Sequence, residues 1–171
     1  MKRPLGASIL CALAFCTSVQ LFAGEPSSKI KAFFTPEMLE VLTGVEHVDV
    51  FRVKPTNAGF AVLATGSVWN GEKAKQVAAL FLDEKSYEWD LKKACDPMPG
   101  VLFKIYKGEK YVEVALCFEC GIVAFNISEP KGKAVANLSN DFDPARAQLV
   151  KWAKEALPND TVVQALKEKN E

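Results

Sequence analysis

The sequence predicts an α+β domain: an antiparallel sheet of about four to six strands with helices packed on one face and a helical C-terminal segment. Short apolar runs rich in β-branched and aromatic residues recur between turn residues from position 48 to 138. Apolar residues at helical spacing occur before, between and after those runs, at 38–42, 74–81 and 145–156. The chain has 171 residues and no internal repeat, long linker or low-complexity tract, which predicts one domain with a substantial core.

Met1, Lys2 and Arg3 make a basic start, followed by an apolar run over 5–19 and then Leu21, Phe22, Ala23 and Gly24. That is the order of a secretory signal peptide, with cleavage expected after Ala23. The run is short for a transmembrane helix, so no membrane span is expected after cleavage. The predicted organisation is a signal peptide over 1–23, a flexible approach segment over 24–35 and one α+β domain over 36–171. Localisation is expected to be extracytoplasmic, periplasmic or secreted. Phe15 and Leu10 are bulky where the cysteine of a lipid-anchored leader follows a small residue, which weighs against lipidation of Cys16 or Cys11.

Thr35 can cap a helix, Pro36 suits its first position, and Met38, Leu39, Val41 and Leu42 supply apolar contacts before Gly44. Val48, Val50, Phe51 and Val53 predict a first strand, and 60–65 a second, limited by Gly59 and Gly66. Ala74, Val77, Ala78, Leu80 and Phe81 then predict a helix whose apolar face covers the sheet. Tyr87, Trp89 and Leu91 form a short strand or an aromatic edge. Residues 101–106 and 111–116, joined by Lys107, Gly108, Glu109 and Lys110, predict a β-hairpin. Ile122, Val123, Phe125 and Ile127 add a strand, Ser128 to Lys133 a surface turn, and 134–138 a short edge strand ended by Ser139, Asn140 and Asp141. Asp143 and Pro144 start a helix with Leu149, Trp152, Ala153 and Ala156 inward, and a last helix begins near Asp160. Lys167 to Glu171 is expected to fray.

Lys and Arg total 21 against 21 Asp and Glu, and loss of the leader leaves 19 against 21. That balance provides no electrostatic footprint for nucleic acid. Residues 65–67 lack the glycine and lysine pattern of a phosphate loop. One histidine, His47, and scattered carboxylates make no hydrolytic constellation, and a structural role is expected for His47. No cofactor is expected, and the chain reads as a binding or structural domain rather than an enzyme.

Three cysteines outside the leader, Cys95, Cys117 and Cys120, bracket the hairpin. In an oxidising compartment a structural disulfide joining Cys95 to either Cys117 or Cys120 is expected, which leaves one thiol over. Thiol–disulfide exchange through Cys117 and Cys120 is the enzymatic alternative. It needs an exposed, low-pKa thiolate, whereas this pair follows a strand-like VEVAL run with no helix start behind it. A metal-stabilised domain is the other alternative, with Cys95, Cys117 and Cys120 as ligands and His47 as a fourth, although one CxxC pair is a weak zinc signal. Tyr87, Trp89, Tyr106, Tyr111 and Phe118 are the candidate contact surface for a protein or peptide partner, with core packing as the competing assignment.

Residues 83–87, Cys95, the Pro99, Gly100, Val101 step and above all the VEVALCFEC segment at 112–120 resemble an uncharacterised family of small exported bacterial proteins. The resemblance extends over most of 36–166. It implies export and a compact α+β domain, and it implies no catalytic residue.

Overall fold

A computed structural model describes residues 25–91, 93–128 and 134–169. The expected signal peptide lies outside the described residues, as do most of the 128–133 turn and the last two residues of the C-terminal tail. Among the described residues, six strands form one sheet: β1 (His47–Thr56), β2 (Gly59–Asn70), β3 (Val101–Lys107), β4 (Lys110–Cys117), β5 (Ile122–Ser128) and β6 (Ala134–Asp141). Their order is β2-β1-β3-β4-β5-β6, and every neighbouring pair is antiparallel. The α+β class, the antiparallel sheet and the helices on one face are as the sequence predicts.

Helix α1 (Ser28–Phe33) and helix α2 (Pro36–Thr43) precede the sheet. The segment expected as a flexible approach over 24–35 therefore contains a helix. Ser27 Oγ accepts from the Ile30 N–H at 3.3 Å and caps it. Ile30, Phe33 and Phe34 fall at the i, i+3, i+4 spacing that makes one apolar stripe, and Phe34 packs edge-on against Phe125 at 4.8 Å. Two flanking lysines, Lys29 and Lys31, hide that stripe in a composition-based reading. Helix α2 starts as expected: Thr35 Oγ1 accepts from the Met38 N–H, and Met38, Val41 and Leu42 are buried.

Helix α3 (Gly71–Leu82) carries the chain from β2 across β1 to β3. Ala74, Val77, Ala78 and Phe81 face inward at helical spacing. Helix α4 (Arg146–Ala156) follows a 3-10 turn at Asp143–Ala145, so Asp143 and Pro144 open that turn rather than the helix itself. Helix α5 (Thr161–Gln164) is capped by Asp160, whose Oδ1 accepts from Val163 N at 2.9 Å.

Two strands outrun their expected ends. Gly66 lies inside β2, where Gly66 and Ser67 together oppose Val50, and Leu63 is a second extra residue between Val62 and Ala64. These are bulges, which bend a strand and raise its twist without ending it. A Cβ on Gly66 would stand 2.8 Å from the Ala156 carbonyl oxygen, so glycine here permits the end of α4 to approach β2. Ser139, Asn140 and Asp141 pair with Ala124, Val123 and Ile122 and extend β6, because ladder pairing outweighs their turn preference. Residues 87–91 form no strand; Glu88 makes one isolated bridge to Asp141.

The main core lies between the helices and the sheet. Phe81, Phe103 and Phe125 are fully buried there, with ring centroids 5.6 Å apart for Phe81–Phe125 and 6.4 Å for Phe81–Phe103. Trp69 meets Phe103 edge-on at 5.7 Å. The opposite face carries a smaller apolar cluster of Val53, Leu102 and Ala115, flanked by half-buried Phe51, Phe60 and Ala124. Phe125→Ala is expected to destabilise the protein by about 3–5 kcal/mol, since it removes a buried ring where α1, α3 and β5 converge. A urea midpoint unchanged by that substitution would place the core elsewhere.

Candidate functional site

The segment before β3 is fastened by a covalent and an ionic clasp. Cys95 and Cys120 form a disulfide with Cα atoms 6.2 Å apart, tying the segment before β3 to the turn between β4 and β5. Among the described residues Cys117 is the free thiol, and it is buried. The turn itself is an α-turn in which Gly121 N donates to the Cys117 carbonyl at 2.9 Å. Gly121 has a φ of 69°, and a Cβ there would collide with the Asp143 carboxylate and the Lys93 ammonium.

Charged groups reinforce the same clasp. Lys93 Nζ lies 2.6 Å from a carboxylate oxygen of Asp141 and 2.6 Å from one of Asp143. Burial works against the Lys93 charge, but the hydrogen bonds to Asp141 and Asp143 outweigh it and hold the ammonium above the ordinary lysine range. Arg146, itself buried, donates from Nη1 to the Phe118 carbonyl at 2.6 Å. Arg52 Nη1 donates to the carbonyls of Val53 and Gly100 at 2.6 and 2.7 Å, while its Nε stands 3.5 Å from Asp160. A shallow groove of about 220 Å³ runs beside this arginine, lined by Met98, Pro99, Phe118, Val162 and Leu166 among others. Arg52 helps to hold that groove's walls together.

The five aromatic candidates separate. Tyr87 is core: its hydroxyl donates to the Phe81 carbonyl at 2.7 Å, and burial first, then the Asp83 charge, push its phenol well up. Phe118 is also core, packed edge-on against Phe142 at 5.5 Å. Trp89 is half-buried against Phe33, with Nε1 donating to the Glu84 carbonyl at 2.8 Å. Tyr106 and Tyr111 stay together as cross-strand partners on the helix-free face, 5.4 Å apart. His47 stacks on Tyr106 at 4.4 Å with the rings 8° from parallel. Lys104 sits 4.6 Å over the Tyr111 ring and 3.1 Å from Glu113.

This half-buried ledge of His47, Tyr106 and Tyr111 stands on the hairpin strands β3 and β4 and on the neighbouring β1. Its histidine is absent from any local motif, because His47 reaches Tyr106 only through the β1–β3 register. The neighbouring row, Phe51, Leu102, Ala115 and Ala124, likewise exists only through cross-strand pairing.

Cys95, Cys117, Cys120 and His47 do not assemble as metal ligands. Two of the sulfurs are bonded to each other, and among the described residues no group of three or more His, Cys, Asp or Glu side chains is placed to hold an ion. Among the described residues, too, no helix is long and apolar enough to cross a membrane. No protein-family model, curated protein or solved structure matches this chain.

Removing the clasp with Cys95→Ser is expected to cost about 3–4 kcal/mol, the loop-entropy value for a cross-link of this span, with strong dependence on denatured-state structure. An unaltered denaturation midpoint would show that the disulfide holds nothing. Lys93→Met is expected to cost about 3 kcal/mol near neutral pH, because it strands the buried Asp141 carboxylate. The folded Lys93 pKa is raised, so the pair's contribution is complete below the ordinary lysine value and disappears as pH rises through the folded value. The stability gap between wild type and Lys93→Met should therefore close as the pH rises through the alkaline range; a gap that persists there would assign the effect to packing.

Proposed function

We propose that this protein is an extracytoplasmic binding domain without catalytic chemistry, and that its contact surface is the sheet face around Tyr106 and Tyr111. The observation that carries this is the aromatic ledge itself. Two half-buried tyrosines and a stacked histidine stand on adjoining strands of a sheet held rigid from behind by the main core. Aromatic residues on a rigid support supply contact area at small conformational cost, and the phenol and imidazole edges can still hydrogen-bond a peptide backbone. Lys104 and Glu113 beside them neutralise each other, so recognition would rest on apolar complementarity more than on charge. Export is supported by the leader-like N-terminus, by the resemblance of 112–120 to small exported bacterial proteins, and by a disulfide that persists in an oxidising compartment.

Exchange chemistry has weaker support, because Cys120 is bonded to Cys95 and Cys117 is buried. It is tested by incubating the native protein with a thiol reagent and with a disulfide substrate. Labelling of Cys117 without denaturant together with turnover would favour exchange over binding.

The binding assignment is tested with a panel of extended peptides against wild type and Tyr106→Ala plus Tyr111→Ala. Wild type is expected to retain some peptides and the double variant to lose at least about tenfold in affinity, with its far-ultraviolet spectrum unchanged. No retained peptide, or equal affinity in the variant, would remove this surface as the site.

A further inference from the structure

The strand β2 is an edge strand of an unusual composition. Its twelve residues, GFAVLATGSVWN, include no charged residue and no proline. Charges and prolines are the usual means of keeping a sheet edge from pairing with another chain. Val62, Leu63 and Val68 are each more than half exposed, and they make up half of the large apolar side chains exposed among the described residues. Among those residues, β1 alone hydrogen-bonds to the β2 backbone, so the outer row of N–H and C=O groups is open. The other edge differs: β6 is bridged at its end by Glu88, whose N–H donates to Asp141 O at 3.1 Å.

The two bulges choose the partner. They space the β2 residues that oppose Asp49, Phe51 and Val53 three apart, at Val68, Thr65 and Val62. Leu63 and the Gly66–Ser67 step lie on either side of Thr65, so the bulge pattern of β2 is self-complementary about that residue. A second β2, running antiparallel about a two-fold axis at Thr65, stays in phase. Val62 then faces Val68 of the second copy, Leu63 faces Ser67, and the two bulges lie opposite each other. The contact is isologous, with one valine pair on each side of a threonine pair. We propose that β2 pairs with β2 of a second copy of this chain, joining two six-stranded sheets into one continuous sheet. This pairing is independent of whatever binds at Tyr106 and Tyr111.

The test uses the full chain as the expressing cell exports it. Sedimentation analysis over the micromolar range is expected to give twice the chain mass for wild type and the single-chain mass for Val62→Lys. Thr65→Cys is expected to cross-link to its symmetry mate on mild oxidation, because opposed residues of an antiparallel pair lie within disulfide reach. Thr56→Cys, exposed at the far end of β1, is the control and should remain uncross-linked. A wild-type monomer throughout that range would overturn the pairing, as would a dimer insensitive to Val62→Lys. Failure of Thr65→Cys to cross-link within a dimer would place the interface elsewhere. Should Val62→Lys not fold, the cross-link decides alone.

Discussion

One-sided burial is the constraint on which the rest of this structure depends. Phe103 and Phe125 project from the central strands β3 and β5 into the helix layer, where Phe81 of α3 and Phe34 beside α1 meet them edge-on. Edge-to-face aromatic contacts add to the area effect and fix ring orientation, so strand register and helix position become coupled. With β1, β3, β4 and β5 each presenting alternate residues to that layer, a slip of one residue would turn the apolar set outward. The β2–α3–β3 crossover follows, because α3 leaves β2, passes over β1 and must bring Phe81, at its far end, between Phe103 and Phe125.

The open face is the other half of the same constraint. Helices cover one side, so the residues between the buried ones are left to organise themselves by cross-strand contact. Toward the His47 end they form the tyrosine and histidine ledge, and toward the clasp end the small cluster of Val53, Leu102 and Ala115. The disulfide and the Lys93, Asp141 and Asp143 group fasten the strand ends nearest that cluster. Structural anchoring and the half-buried aromatic ledge are thus segregated within one sheet.

Local signals were readable wherever backbone chemistry alone sets the outcome. Thr35 accepts from the amide group its cap position implies, α5 starts at the residue the sequence marks, and the hairpin turns at Gly108 with a φ of 57°. Helix α1 is not legible in the sequence because a six-residue helix has no stable preference until Phe125 receives its aromatic residues. The ends of β2 and β6 were misplaced for a related reason. Gly66 and Ser139 favour chain reversal locally, while neighbouring strands and the end of α4 supply the contacts that override it. Of the aromatic candidates, Tyr87 and Phe118 entered the core, since composition and spacing do not distinguish a buried ring from an exposed one.

By itself the sequence determined the α+β class, the central hairpin, the cap of α2, the start of α5 near Asp160, the α3 face and the presence of a cysteine clasp. Each rests on periodicity or on a backbone preference within a few residues. Tertiary structure decided that Cys120 rather than Cys117 meets Cys95, that His47 stacks on Tyr106, and that β2 is an uncharged edge with a three-residue phase. Those outcomes join residues far apart in the chain. Only the register of the folded sheet brings them within contact distance.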